Sequence, residues 1–200
     1  MKVVGSVIAR LGSKRLTYKN LLPYKGVPLV LHAIKKLTDS ELFDQVVLST
    51  DSELIARTCL TKKVEVLIRP SSLSTDDIPS IPVFQHIIEN FPCDIHLNYN
   101  CNFPECDQSV FEKAIKIANE SGESLSNPYA VWAQTKECLD NYGDPFQITA
   151  SQFVTNDAHP LDIHTMDDLL EVHRVNQPSF SWSELKKIKI SVKFYENGRL

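Results

Sequence analysis

The sequence predicts a three-layer α/β domain on a mixed, mainly parallel sheet, and three observations carry that expectation. Strand-like runs alternate with runs at helical spacing four times before Gly122. The strand-like runs are short and apolar without clean alternation, the pattern of strands buried on both faces. Each parallel pair needs a crossover connection, which an intervening helix supplies. Size agrees: 200 residues, 42% hydrophobic and 23% charged, is ordinary globular composition and about one domain long.

Residues 3–9 form the first buried strand, and polar, basic residues follow at once, so this strand feeds a loop. Pro28 suits a first helical turn, and Leu29, Leu31, Ala33, Ile34 and Leu37 give an apolar face over nearly three turns. Residues 45–49 make the second strand, and Asp51 or Ser52 can cap a helix running to about Leu60. A third strand is expected over 64–68. Ile81, Val83, Phe84, Ile87 and Ile88 then mark a helix over 80–90. A fourth strand over 94–98 precedes a helix over 110–119, with Val110, Phe111, Ala114, Ile115 and Ala118 on one face and Gly122 as its stop.

After Gly122 the pattern loosens. Strands are expected at 129–133 and 147–150, and a helix at 165–175 with Asp167 and Asp168 in its first turn. Residues 187–195 alternate Ile188, Ile190, Val192 and Phe194 with Lys189, Ser191, Lys193 and Tyr195, a strand with one buried face and lysines suited to a sheet edge. The expected layout is one domain over 1–176 and a C-terminal extension over 177–200 that carries this edge strand.

Charge narrows the function. With 21 Lys+Arg against 25 Asp+Glu the net charge is -4, so no global positive field exists to hold a nucleic-acid backbone or an anionic membrane. Any anion must be bound locally. No apolar run approaches the roughly 20 residues of a membrane span, and the N-terminus lacks the features of a signal peptide, so the chain is expected to stay in the cytoplasm. Five cysteines, at 59, 93, 101, 106 and 138, are odd in number and irregular in spacing, which reads as reduced thiols.

One local site stands out. Arg10, Lys14, Arg15 and Lys19 fall within the eleven residues from Arg10 to Asn20, with Gly12 to admit a close ligand and Ser13 to donate a hydrogen bond. Four cations beside open N–H groups make a polyphosphate cradle. The spacing is neither that of the P-loop nor that of the three-glycine dinucleotide fingerprint. A solvated charge cluster is the alternative, but placement directly after a buried first strand favours a ligand site, because open α/β sheets bind ligands beyond their strand C-termini.

Residues 7–21 (Val-Ile-Ala-Arg-Leu-Gly-Ser-Lys-Arg-Leu-Thr-Tyr-Lys-Asn-Leu) resemble the first motif of the sugar-acid cytidylyltransferases, which make CMP-sialic acid, CMP-legionaminic acid and CMP-3-deoxy-manno-octulosonate. A second similar stretch is 43–51 (Phe-Asp-Gln-Val-Val-Leu-Ser-Thr-Asp), and a third is 69–81 (Arg-Pro-Ser-Ser-Leu-Ser-Thr-Asp-Asp-Ile-Pro-Ser-Ile). The similarity covers about residues 3–90, fades, and returns at 161–170.

The resemblance implies the nucleotide-diphospho-sugar transferase (Rossmann-like) fold. It also implies a reaction in which a sugar hydroxyl attacks the α-phosphorus of CTP and pyrophosphate leaves, with Mg²⁺ or Mn²⁺ neutralising charge. Positioning and electrostatic stabilisation dominate such a transfer. By motif position Arg10, Ser13, Lys14 and Lys19 would hold the triphosphate, with Leu11 and Gly12 in the same nucleotide-binding stretch. Asn20, Arg69 and Ser80 would recognise ribose and cytosine, and Asn98 would replace a family glutamine facing the nucleotide. Arg10, Lys14 and Asp162 are the expected catalytic residues, and Asp162 with His164 the expected metal ligands. The implied partners are CTP and an acidic sugar, with a homodimer as the family's common assembly. Taken singly, Asn20 also reads as a turn residue, Ser80 as a helix N-cap and Arg69 as a surface arginine.

The sequence departs from the family pattern in two places. Asn100 falls where some branches carry an aspartate, and His164 takes the second acidic position of the later motif, although Mg²⁺ prefers oxygen ligands. The middle region is also short. These departures leave open a nucleotide-binding homologue with lost or altered catalysis, or a nucleotidyltransferase acting on another sugar. Two other arrangements are open to the same residues: Cys101, Cys106, His159 and His164 as a zinc set, though at no known motif spacing, and a Cys–His hydrolase, for which no cysteine has a local signature.

Overall fold

A computed structural model of the chain describes residues 1–13, 15–61, 63–158 and 162–176. The first half builds β1 (Val3–Ala9), a small hairpin of β2 (Pro23–Tyr24) and β3 (Val27–Pro28), α1 (Leu29–Thr38), β4 (Gln45–Thr50), α2 (Glu53–Thr58), β5 (Glu65–Ile68) and α3 (Ser80–Asn90). The second half builds β6 (Ile95–Tyr99), α4 (Ser109–Ser121), β7 (Glu123–Asn127), β8 (Val131–Thr135), α5 (Lys136–Asp140), β9 (Ser151–Val154) and α6 (Met166–Asn176). Single turns of 3-10 helix lie at Lys19–Leu21 and Ser71–Leu73.

The main sheet has seven strands in the order β5-β4-β1-β6-β8-β7-β9. β1 pairs in parallel with β4 and β6, β4 with β5, and β7 with β9. β8 alone is reversed, antiparallel to β6 and β7. The helix α4 carries the chain from β6 to β7 as a crossover, and the short turn after β7 sends β8 back into the space between them.

Residues alternate between two cores. Val3, Val7, Val46 and Leu48 face α1 and α4. Val4 and Val47 face α3, where Ile81, Phe84, Ile87 and Trp132 complete the second core. Helices thus cover both faces, as the sequence predicts. A third, smaller cluster of Leu16, Tyr24, Leu29, Ile163 and Leu169 ties the basic loop to the segment before α6.

Several local expectations hold. Ser52 caps α2, its Oγ accepting from Ile55 N at 3.3 Å. Gly122 ends α4 at φ 88°, a left-handed backbone that favours glycine. Gly5 is required by close packing, since a Cβ there would meet the Phe43 ring at 2.8 Å.

The second half departs more. The strand expected at 129–133 forms at Val131–Thr135, and the one expected at 147–150 forms instead at Ser151–Val154, because Phe146 and Ile148 are exposed and supply no buried face. β7 was not expected, since its sequence is largely polar. Its side chains are satisfied in place: Ser124 Oγ donates to Ala114 O at 2.7 Å, and Glu123 accepts from Trp132 Nε1 at 2.8 Å. Neither α5 nor the β2–β3 hairpin was expected. The edge strand at 187–195 and the extension over 177–200 lie outside the described residues. Among the described residues no helix is long and apolar enough to cross a membrane.

Candidate functional site

The C-terminal ends of β1, β5 and β6 and the N-terminus of α3 enclose a cavity of about 600 Å³. The basic loop supplies Arg10, Gly12, Ser13, Lys19 and Asn20 to its wall. Arg69, Ser80 and Asn98 arrive from elsewhere in the chain and border the same space.

The loop is fixed by its own side chains. Leu16 is buried in the third core, and Asn20 Nδ2 donates to Arg10 O at 2.8 Å, tying the loop's two ends. Asn20 Oδ1 accepts from Cys101 Sγ at 3.2 Å, which links the loop to the end of β6. One bond on each side of the amide is therefore taken, and one N–H and one lone pair remain. The loop after β6 is anchored in turn by Lys36, whose Nζ donates to Pro104 O at 2.8 Å and Cys106 O at 2.5 Å.

Cations dominate the electrostatics. Arg10 is ion-paired with Asp76 from the loop before α3. Burial lowers the Lys19 pKa, opposed by the nearby Asp162 charge. Arg69 is 7% exposed, and its Nε has no hydrogen-bond partner among the described residues. Burial lowers its pKa too, yet a guanidinium keeps its charge, so Arg69 adds a positive charge to the cavity wall. Arg15 also borders the cavity.

Ser80 is the first residue of α3 rather than its cap. Pro79 takes the cap position, without a side-chain hydrogen bond, so the helix presents uncapped N–H groups and its positive end at the cavity. Ser80 hydrogen-bonds Tyr129, which partly offsets the burial that pushes the tyrosine up to about 12.

Leu11, Asp162 and His164 stand apart from this wall, whereas Asn100 lines it. Leu11 packs its side chain on the first core, and its N–H donates to Asp51 Oδ1 at 3.0 Å. Asp162 and His164 are not among the residues lining the cavity, although the Asp162 charge acts on Lys19. His164 Nε2 and Asp162 Oδ2 are 2.6 Å apart, and Asp162 Oδ1 is buried without a partner among the described residues. Ile163 N donates to Asn102 O at 3.0 Å, holding this segment against the loop after β6. Asn100 has both sides of its amide engaged, Nδ2 donating to Tyr129 O at 3.3 Å and Oδ1 accepting from Asn102 N at 3.1 Å. Lys14 and His159 lie outside the described residues.

Sequence reasoning missed Asp76, Tyr129 and Asn102. Asp76 had a signal, since it lies inside the third motif beside a loop rich in cations. The thiol arrangements gain nothing from the structure. Burial pushes Cys59 and Cys106 up to about 12 and also raises Cys101, so these sulfurs stay protonated and are poor nucleophiles and ligands. Among the described residues no three His, Cys, Asp or Glu side chains gather closely enough to hold a metal.

Known proteins were compared with this chain. The profile of the family described as Cytidylyltransferase matches residues 4–164. The N-acylneuraminate cytidylyltransferase of Streptococcus agalactiae serotype V is 36% identical over 93 residues, covering 46% of this chain and 22% of that protein. The pseudaminic acid cytidylyltransferase of Campylobacter jejuni serotype O:2 is 38% identical over 90 residues, covering 44% and 39%. The chain thus spans between about a fifth and two fifths of these relatives' length. A CMP:2-keto-3-deoxy-manno-octonic acid synthetase solved with CTP superposes with a TM-score of 0.70 at 14% identity, over 88% of this chain and 98% of that one. A cytidylyltransferase from Leptospira borgpetersenii gives 0.65 at 15% identity, over 90% and 100%. At that identity the structures speak for the fold, the nucleotide-diphospho-sugar transferase architecture. The profile match, which takes in the basic loop, Arg69, Ser80, Asn98 and the Asp162 segment together, shows that the chain belongs to the cytidylyltransferase family.

Proposed function

We propose that the protein transfers CMP from CTP to an acidic sugar of the sialic, legionaminic or 3-deoxy-manno-octulosonic type, with release of pyrophosphate. One observation carries the reading: in a chain of net charge -4, Arg10, Arg15, Lys19 and Arg69 border a single cavity at the strand ends. Such a cluster suits a triphosphate and the negative charge that grows on a departing pyrophosphate. Arg10, Ser13 and Lys19, with Lys14 from the same loop, take the triphosphate in this reading. Asn20, Arg69 and Ser80 take the ribose and base, and Asn98 faces the nucleotide.

A divalent cation fits the residues present, because Mg²⁺ commonly takes one or two carboxylates together with substrate phosphates, and Asp162 Oδ1 is an unpartnered carboxylate oxygen near Lys19. Asp162, with His164 beside it, would hold the ion. When bound, it would withdraw charge from the phosphates. The protein's own cations and the α3 N-terminus orient the α-phosphorus toward the sugar hydroxyl and exclude solvent from the phosphate wall.

The test is direct. Purified protein incubated with CTP, Mg²⁺ or Mn²⁺ and a panel of acidic sugars is expected to give pyrophosphate and CMP-sugar; neither product from any sugar sinks the proposal. One observation favours a second reading, a nucleotide-binding homologue with altered catalysis: Asn100 offers no carboxylate and its amide is engaged by the loop. That reading expects CTP binding without product, and activity gained on His164→Asp with Asn100→Asp.

A further inference from the structure

The sheet face beneath α3 carries, beside its apolar residues and the buried Ser49 and Glu123, a row of polar side chains crossing three strands. Ser6 on β1 lies opposite Asn98 on β6, and His96 on β6 lies opposite Gln134 on β8. All four are buried. Ser6 Oγ is 2.8 Å from His96 Nε2 and 3.3 Å from Asn98 Oδ1, and His96 Nδ1 is 3.4 Å from the Gln134 amide. Of the four, Asn98 borders the cavity.

His96 is neutral, since complete burial pushes its pKa down to about 4. One ring nitrogen therefore carries a proton and the other accepts. The row then has two directions. In the first, Nδ1–H donates to Gln134 Oε1 and the Ser6 hydroxyl donates to Nε2, leaving Ser6 no proton for Asn98. This direction leaves Gln134 Nε2 without a partner in a fully buried place. In the second, the Gln134 amide is turned over, so that its NH2 donates to Nδ1. His96 Nε2–H then donates to Ser6 Oγ, and the Ser6 hydroxyl donates to Asn98 Oδ1. Turning the amide exchanges two atoms of nearly the same size and gives one of its N–H groups a partner, so that one N–H and the carbonyl stay unmatched instead of both N–H groups, the lesser fault in a protein interior.

We propose that the row runs in the second direction and that its output is the orientation of Asn98, with the amide oxygen held inward by Ser6 and the NH2 group presented to the cavity as a donor. The ligand atom it meets is an acceptor oxygen, supplied either by the pyrimidine carbonyl of CTP or by the carboxylate of an acidic sugar. Ser6, His96 and Gln134 are positioning residues that act through Asn98. The ligand's identity rests on the proposed function; the direction of the row does not.

Nitrogen-15 NMR of the wild-type protein reads the His96 tautomer without ligand or turnover. A protonated Nε2 with a bare Nδ1 is expected, and the Nδ1–H tautomer overturns the proposal. In the same sample the Asn98 NH2 signals are expected to move when CTP or an acidic sugar is bound, and the ligand that moves them names the acceptor. Binding of both, shown by calorimetry, with the signals unmoved by either overturns the role of Asn98. Ser6→Ala frees the amide to turn, so the KM for that ligand should rise about tenfold at nearly constant kcat; an unchanged KM counts against the row. Should neither ligand bind at all, the proposed function fails while the tautomer still decides the direction.

Discussion

Two walls of the cavity use their polar groups differently. On the wall made by the basic loop, Arg69 and α3, groups remain without partners: Arg69 Nε has none among the described residues, and α3 begins without a side-chain cap. On the wall made by β6 and its loop, and at residues 162–164 outside the cavity wall, polar groups engage one another. Asn100 bonds Tyr129 and Asn102, Cys101 bonds Asn20, and His164 bonds Asp162. A wall that carries four cations against the one carboxylate paired with Arg10 is prepared to bind an anion. A wall of mutually bonded groups is rigid and leaves few atoms for a reaction. Affinity is therefore expected to follow the first wall, and turnover and local rigidity the second.

The largest expected effect lies under the second wall. The His96 pKa is depressed in the folded protein, so on lowering pH the unfolded chain takes up a proton that the folded one refuses. Its contribution is complete above about pH 6.5 and is lost as pH falls toward about 4, at roughly 3 kcal/mol in all. Urea midpoints measured across that range should fall accordingly, and His96→Gln should remove its share and leave that of His32, whose pKa burial also pushes down to about 4. A wild-type midpoint independent of pH there would mean that the row is not rigidly closed.

Next comes Asp162→Asn, which should lower kcat about a hundredfold with Mg²⁺ while leaving CTP affinity within about twofold. Steady-state kinetics beside calorimetry separates the two quantities; a fall in affinity alone would merge the walls' roles. Arg69→Met is the converse, with CTP affinity down about thirtyfold, the scale of a charge-assisted hydrogen bond, and the fold retained. Smallest is Asp76→Asn. It releases Arg10 from a half-exposed ion pair, so CTP should bind about threefold more tightly at low salt, an advantage that salt erodes. Weaker binding would show that Asp76 serves the ligand rather than competing with it.

The two halves of the chain also differed in legibility. From β1 to α4 the helices and the main-sheet strands fall within a few residues of expectation, because their burial is apolar and periodic, and only the short β2–β3 hairpin is unexpected. β7 escaped notice because Ser124, Ser126 and Glu123 are buried polar residues, admissible only through partners such as Ala114 O, Pro128 O and Trp132 Nε1. Asn20 was legible as a site residue, but its pairing with Cys101 was not, since the two are 81 positions apart. Ser80 was weighed as a cap, and the local sequence did not reveal that Pro79 would take that place.

By itself the sequence determined the α/β alternation and the concentration of cations after the first strand. Both are local properties, a repeat of hydrophobicity and a charge count within one loop. Only the tertiary structure decided which of those cations find partners, which polar groups are already engaged, and that Arg69, Ser80 and Asn98 share the loop's cavity. The physical reason is that hydrogen bonding and desolvation depend on neighbours brought together by the sheet: Asp76 against Arg10, Asn102 against Ile163, and Ser6 between His96 and Asn98.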